Sequence, residues 1–131
     1  MAFCNPAQVL IIDDDEINNF IVERLIHRLS PESEVIACTN GAEALGFLEK
    51  TVSKDNSFPD FIFLDLRMPV LDGWGFLDEY QKRGFQKQCS VIILTSSIFR
   101  YDIDRAHEHV VPTQLISKPL TLDHLRDLFW T

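Results

Sequence analysis

Five side chains able to take part in phosphate or metal chemistry directly follow short apolar runs of the sequence. Asp13 and Asp14 follow VLII, Asp65 follows FIFL, Thr95 follows VIIL and Lys118 follows QLIS. Three nearby carboxylates repel one another, so one of them is expected to protonate unless a cation binds. Because the acidic groups offer only oxygen ligands, without histidine or cysteine, they favour a hard cation such as Mg²⁺ over zinc or iron.

The same side chains fit phosphoryl transfer. A carboxylate can attack phosphorus directly and form an aspartyl phosphate. Such transfers depend mainly on positioning and on neutralising the equatorial phosphoryl oxygens. The metal, the Lys118 ammonium and the Thr95 hydroxyl could each contact one of these oxygens. Each Asp taken singly could be a plain turn residue, since Asp is frequent after strands. The five residues taken together favour a chemical function.

Strands are predicted where β-branched or aromatic residues form short, continuous apolar runs. The runs Val9–Ile12, Phe61–Leu64 and Val91–Leu94 are typical of strands that are buried on both faces. Weaker patterns predict two further strands at Val35–Cys38 and Gln114–Ser117. The five chemical side chains lie at the ends of four of these strands.

A helical pattern follows each predicted strand. The first begins near Ile17, and the others cover Gly41–Glu49, Trp74–Tyr80, Phe99–Ala106 and Leu122–Trp130. Strands that alternate with helices indicate an α/β fold with a parallel sheet and helices on both faces, because each crossover must be right-handed. Ligands of such sheets bind at the carboxyl ends of the strands, which is where the chemical side chains are predicted to lie.

The first helical pattern carries an apolar stripe. Ile17, Phe20, Ile21, Leu25 and Leu29 recur at helical spacing, with charged residues between them for the solvent side. We expect this stripe to pack on the sheet. Asp15 and Glu16, which directly precede this stripe, are typical of a helix start rather than of further metal ligands.

Composition and charge restrict the class of protein. A chain of 131 residues without a linker fits a single domain, and no apolar run approaches the ~18 residues of a membrane span. The N-terminal MAFCNPAQ lacks the features of a secretory signal. A net charge of −8 argues against nucleic-acid and membrane-surface binding. Three widely spaced cysteines, Cys4, Cys38 and Cys89, predict reduced thiols and a cytoplasmic protein.

Four segments together resemble the receiver domain of bacterial response regulators. IIDDDE, FIFLDLRMPVLDG, VIILTSS and LISKP occur in this order at the predicted strand ends, and the resemblance extends from Val9 to about Phe129. It implies the flavodoxin-like fold of chemotaxis regulators, a doubly wound five-stranded parallel sheet of order 2-1-3-4-5 flanked by five helices. It also implies a single receiver domain over residues 1–131, with a core at about residues 8–130 and no output domain.

The resemblance gives roles to the acidic residues. Asp65 matches the phosphoacceptor of the family. Asp13 and Asp14 match the acidic pair that holds Mg²⁺ together with the acceptor, and Asp14 is the better candidate for direct ligation. Arg67 matches the position whose backbone carbonyl completes the metal site, so its side chain need not be a ligand. By the same resemblance, Mn²⁺ is expected to substitute for Mg²⁺.

The resemblance also identifies the residues that sense phosphorylation, and one departure from the family. Thr95 matches the switch hydroxyl, and Lys118 matches the family's lysine, whose bond to Pro119 is expected to be cis. Leu115 stands where the family usually has an aromatic ring that swings inward on phosphorylation. Because leucine has no ring to move, the response to phosphorylation is expected to differ here.

The function implied by the resemblance is that of a phosphorylation-dependent switch in a two-component system. A histidine kinase or a histidine phosphotransfer protein would donate the phosphoryl group to Asp65, and a downstream protein of unknown identity would respond. The chain would catalyse its own phosphorylation and dephosphorylation without acting as an enzyme on an external substrate. No nucleic acid or membrane is expected among its partners.

Other classes share some of these features. A phosphatase of the haloacid dehalogenase type also uses a strand-end Asp with Mg²⁺, but it needs a second Asp where this chain has Arg67, and no cap domain is present. A binding module that works without phosphorylation is a further alternative, because Leu115 replaces the aromatic residue of the usual switch. His107 and His109 lack a third ligand and are expected to be solvated. The sequence leaves open whether the chain is free-standing or part of a larger protein.

Overall fold

Strands and helices alternate along the chain in the computed structural model, which describes residues 7–52, 58–68, 70–85, 89–96, 103–105 and 113–129. The strands are β1 (Gln8–Ile12), β2 (Glu34–Cys38), β3 (Phe61–Asp65), β4 (Ser90–Thr95) and β5 (Thr113–Ser117). The helices are α1 (Glu16–Leu29), α2 (Gly41–Val52), α3 (Gly73–Lys82), α4, which is described over residues 103–105, and α5 (Leu122–Phe129). Within these ranges no helix is long and apolar enough to cross a membrane.

The five strands form one parallel sheet in the order β2-β1-β3-β4-β5. At the carboxyl ends, Ile12 of β1 pairs with Leu64 of β3, and Thr95 of β4 pairs with Ser117 of β5. The strand order reverses between β1 and β3, which is the usual place for a ligand site in this architecture. The predicted doubly wound sheet and its strand order are confirmed.

Two apolar cores hold the helices against the sheet. Helices α2 and α3 cover one face, and α1 and α5 cover the other. Strand β1 serves both cores, because Leu10 packs under α2 and α3 while its neighbour Ile11 packs under α1 and α5. This double burial explains the uninterrupted apolar sequences of β1, β3 and β4, and it holds their carboxyl ends in fixed positions.

The boundaries of the elements differ from the predictions by only a few residues in most places. Helix α2 continues to Val52 rather than ending at Glu49, and Thr51 is buried in its last turn. The predicted helix at Phe99–Ala106 lies outside the described residues, except for the helical residues 103–105.

The predicted packing face of α1 is wrong at its N-terminal end. The exposed fractions of the first three members of the stripe are 73% for Ile17, 60% for Phe20 and 49% for Ile21. The helix instead buries Val22 and Ile26 together with the polar Asn19. The side-chain amide of Asn19 donates to the carbonyl of Asp13 at 2.9 Å, and this bond joins the start of α1 to the end of β1 in the observed orientation. An apolar patch is therefore left on the surface beside the end of β1.

Candidate functional site

The five predicted chemical side chains meet at the carboxyl edge of the sheet. Asp13 and Asp14 follow β1, Asp65 and Thr95 end β3 and β4, and Lys118 follows β5. One carboxylate oxygen of each Asp lies within 4.8 Å of those of the other two. Asp13, Asp65 and Thr95 are buried, whereas Asp14 is exposed. The structure therefore brings the predicted residues together and leaves one carboxylate open to solvent.

Lys118 connects two of the carboxylates. Its Nζ lies 2.8 Å from Oδ2 of Asp13 and 3.7 Å from Oδ1 of Asp65. Its backbone N–H donates to the carbonyl of Thr95 at 2.9 Å, and the bond to Pro119 is cis. Burial lowers the pKa of the Lys118 ammonium, but the hydrogen bond and charge of Asp13 and the charge of Asp65 outweigh burial and raise it. Lys118 is thus a cation at neutral pH.

Three donors hold the Asp13 carboxylate in place. The backbone N–H of Asp15 donates to Oδ1 at 2.9 Å, and the amide of Asn18 donates to Oδ2 at 2.9 Å, beside the Lys118 ammonium. Sequence reasoning misses Asn18, as it misses Asn19; the available signal is their position in the first turn of the helix that follows β1. Since both Asp13 oxygens are already engaged, Asp14 is the better placed of the two to receive a metal ion.

The surroundings of Asp65 raise the pKa of its carboxyl group. Burial and the negative charge of Asp13 raise its pKa to about 6, although the Lys118 ammonium and the backbone N–H of Arg67 act in the opposite direction. The chain after Asp65 is tightly packed, because a Cβ on Gly73 would lie only 2.7 Å from the Asp65 carbonyl oxygen. Glycine at this position lets α3 begin beside the strand end and keep the loop compact.

Asp65→Asn is expected to stabilise the protein above about pH 6 when no divalent metal is present. The pKa of Asp65 rises from 3.8 to about 6 on folding, so the folded state binds this proton more tightly. Stability is therefore lost as pH rises from about 4 to about 6 and stays lower above that range. The loss corresponds to about 3 kcal/mol, and an asparagine, which does not ionise, avoids it.

Urea unfolding in EDTA at about pH 4 and about pH 8 measures this effect. The gain in the free energy of unfolding should be near zero at the lower pH and about 2–3 kcal/mol at the higher one. Asp127→Asn, at an exposed position of α5, is the matched control and should behave alike at both pH values. A gain for Asp65→Asn that is independent of pH would contradict the raised pKa.

The three carboxylates fit a Mg²⁺ ion. Mg²⁺ binds oxygen at about 2.0–2.1 Å, so two of its ligand atoms lie at most about 4 Å apart. The 4.8 Å spread of the carboxylate oxygens needs only small side-chain movements to reach that distance. The adjoining open cavity of about 390 Å³ is lined by Asp14, Leu66, Arg67, Met68 and Asp72. It offers room for the waters and phosphate oxygens that complete an octahedral shell.

Leu115 lies close to Thr95 on the sheet. It pairs with Ile93 across β4 and β5, and it is half-buried against the core under α2 and α3. Thr95 follows Ile93 by two residues, so both side chains point to the same face. Leu115 therefore lies on the same face of the sheet as the Thr95 side chain, where it packs against other apolar residues.

Two of the three cysteines in the sequence lie away from the site in the described part of the chain. Cys38 and Cys89 are buried and form no disulfide, and burial raises the pKa of both thiols to about 12. Thiols of this kind are unreactive. Cys4, His107, His109 and Trp130 lie outside the described residues.

Comparison with known proteins finds matches over nearly the whole chain. The family model described as "Response regulator receiver domain" matches residues 9–129. The crystal structure of a two component response regulator from Cytophaga hutchinsonii is 30% identical with a TM-score of 0.83, and the match covers 98% of this chain and 96% of that one. Response regulator Rcp1 of Synechocystis is 28% identical over 95% of this chain and 82% of its own length.

A solved structure bears on the metal. The crystal structure of the Mn²⁺-bound form of response regulator Rcp1 is 27% identical with a TM-score of 0.72, and the match covers 95% of this chain and 89% of that one. Together with the cluster of Asp13, Asp14 and Asp65, this likeness supports divalent metal binding in receiver domains. Because the family model spans almost the full length, the chain belongs to the response regulator receiver domain family of two-component signalling.

Proposed function

We propose that this chain is a phosphorylation-controlled switch with Asp65 as its phosphoacceptor. An Asp65 carboxylate oxygen attacks the phosphorus of a phosphohistidine, the new O–P bond forms, the P–N bond breaks, and the imidazole leaves with a proton from solvent. The observation that carries the proposal is the position of Asp65, whose carboxylate lies beside two further carboxylates and 3.7 Å from the Lys118 ammonium.

The side chains around Asp65 have distinct roles in this proposal. Asp13, Asp14, Asp65 and the Arg67 backbone carbonyl would hold Mg²⁺, or Mn²⁺ in its place. When bound, the metal supplies positive charge against the acceptor and the phosphoryl oxygens. The Lys118 ammonium already lies within 4 Å of Asp65. It would give up part of its contact with the carboxylates and bind a phosphoryl oxygen instead. The Thr95 hydroxyl, buried at the end of β4, donates to another.

The exposed patch on α1 supports a protein as the phosphodonor. Ile17, Phe20 and Ile21 lie on the helix that begins two residues after Asp14, and the Arg24 guanidinium lies 5.7 Å from the centre of the Phe20 ring. Exposed apolar residues grouped in this way are typical of a protein contact. A histidine kinase or histidine phosphotransfer protein seated there would present its phosphohistidine to the cavity, in the cytoplasm.

The experiment that tests the proposed function is phosphorylation by acetyl phosphate, followed by intact mass measurement. The wild-type protein should gain a single phosphoryl group with Mg²⁺, and EDTA should prevent the gain. A phosphatase of the haloacid dehalogenase type would instead hydrolyse a phosphate monoester over many turnovers, and a binding module would gain no mass. Either of these outcomes, or a mass gain that EDTA leaves unchanged, would overturn the proposal.

Phosphorylation is expected to change the structure mainly at Thr95 and in the segment that directly follows it. The Thr95 hydroxyl can move toward the phosphoryl group because the neighbouring Ser96 is small, whereas Leu115 can respond only by a change of aliphatic rotamer. NMR shift maps with beryllofluoride and Mg²⁺, against Mg²⁺ alone, should therefore show larger changes at Thr95 and Ser96 than at Leu115. Large changes centred on Leu115 and α5 would show that the leucine transmits the signal.

A further inference from the structure

Two side chains donate to the same oxygen of the Asp13 carboxylate. Nζ of Lys118 lies 2.8 Å from Oδ2, and the side-chain amide nitrogen of Asn18 lies 2.9 Å from the same atom. The other oxygen, Oδ1, accepts the backbone N–H of Asp15 at 2.9 Å. Because Asp13 is only 2% exposed, little water can take the place of a donor that leaves. The pairing of Oδ2 therefore depends on these two side chains.

The two donors of Oδ2 differ in how strongly a phosphoryl group on Asp65 attracts them. The Lys118 ammonium lies 3.7 Å from Oδ1 of Asp65 and, in the proposed function, binds a phosphoryl oxygen there. A phosphoryl group carries more negative charge than a carboxylate, so it competes with Asp13 for the ammonium. The Asn18 amide has no net charge and is attracted far less. When Lys118 moves, Asn18 is therefore the donor that stays on Oδ2.

The start of α1 holds the Asn18 amide in the orientation that this role requires. An ionised carboxylate only accepts hydrogen bonds, so the amide must present its NH₂ group to Asp13 and not its carbonyl oxygen. Asn18 is half-buried in the first turn of α1. Its backbone N–H donates to the side chain of Asp15, which caps the helix, at 3.2 Å. The helix therefore fixes a neutral donor beside the end of β1.

We propose that Asn18 is a positioning residue, whose amide keeps Oδ2 of Asp13 paired while the Lys118 ammonium moves to the phosphoryl group. This inference rests on the proposed function and adds a residue that favours the movement of Lys118. A buried acceptor that loses its donors is unfavourable. Without Asn18, the ammonium would either stay on Asp13 or leave Oδ2 without a side-chain donor. Asn18 therefore stabilises the phosphorylated state more than the resting state.

The test is the affinity for beryllofluoride, a mimic of the phosphoryl group, measured by NMR titration at a Mg²⁺ concentration that saturates each variant. In the resting protein Asn18→Ala leaves Lys118 on Oδ2, whereas in the beryllofluoride complex it leaves Oδ2 without a side-chain donor. The affinity should therefore fall about three- to tenfold. Asn18→Gln, which keeps an amide on a longer chain, should fall between. Gln81→Ala removes an amide from an exposed position of α3 and should bind as wild type does.

Urea unfolding in EDTA provides a second measurement, which separates positioning from a merely structural role. The unfolding equilibrium constant of Asn18→Ala should lie within about threefold of wild type, because Lys118 still pairs with Oδ2 and alanine favours the helix. A merely structural residue would destabilise the resting protein and leave the beryllofluoride affinity unchanged. That result, or equal affinities of Asn18→Ala and Gln81→Ala, would overturn the assignment of Asn18 alone. Failure of the wild type to bind beryllofluoride would overturn the proposed function as well.

Discussion

The Asp65→Asn variant is expected to take up no phosphoryl group from acetyl phosphate and Mg²⁺, whereas the wild type gains one. Asparagine keeps the shape of the side chain but replaces the nucleophilic carboxylate with a neutral amide, which does not attack phosphorus under these conditions. The other carboxylates of the site do not compensate, because Asp13 is held by three donors and Asp14 points to solvent. Intact mass measurement gives the result directly.

Asp60→Asn is the matched control for this variant. Asp60 immediately precedes the other end of the same strand and accepts a hydrogen bond from the Gln8 backbone N–H at 2.9 Å. An asparagine oxygen can accept that bond too, so the control should fold and gain the phosphoryl group as wild type does. Retention of the mass gain by Asp65→Asn would mean that another residue is the acceptor.

The Asp14→Ala variant is expected to bind Mg²⁺ at least about tenfold more weakly than wild type. Even outer-shell partners of a metal contribute roughly ten- to a hundredfold to affinity, and Asp14 is placed to be a direct ligand. Its exposed carboxylate shares the 4.8 Å cluster with Asp13 and Asp65, and the Asp14 charge also helps to raise the Asp65 pKa. The variant should therefore be more stable than wild type in EDTA, although it loses the metal.

Asp15→Ser is the control for Asp14→Ala, because it removes a neighbouring negative charge without removing the proposed metal ligand. Asp15 is the next residue and caps α1, with Oδ1 accepting the backbone N–H of Ile17 at 3.0 Å. Serine caps helices nearly as well as Asp, so this control removes one negative charge without removing the cap. A Mg²⁺ titration by NMR should give an affinity within about threefold of wild type for Asp15→Ser. Equal titrations of Asp14→Ala and wild type would contradict Asp14 as a ligand.

The sheet and the residues at its edge could be predicted because both depend on simple sequence patterns. Val9–Ile12 and Phe61–Leu64 are apolar without interruption, and a strand covered by helices on both faces requires that pattern. Parallel strands place their carboxyl ends at one edge, so Asp13, Asp65 and Thr95 had to lie near one another. The assignment of a role to each of these residues stays a prediction.

The rotation of α1 could not be predicted from hydrophobic periodicity. The helix carries apolar residues on two overlapping stripes, one containing Phe20 and the other containing Val22 and Ile26. The observed rotation buries Val22 and Ile26 in the core, and it also allows the Asn19 amide to donate to the Asp13 carbonyl. Such a contact joins two elements and leaves no periodic signal in the sequence. The patch that supports a partner protein is the consequence of this rotation.

The central claim, that Asp65 carries the phosphoryl group, is tested most directly by locating the acyl phosphate on the chain. Borohydride reduces the carbonyl of an aspartyl phosphate and releases phosphate, which converts that aspartate into homoserine. After treatment with acetyl phosphate, Mg²⁺ and borohydride, peptide sequencing by mass spectrometry should find homoserine at position 65 and aspartate at Asp13 and Asp14. Homoserine at either of those two positions, or aspartate retained at position 65 in a protein that had gained the phosphoryl mass, would contradict the account.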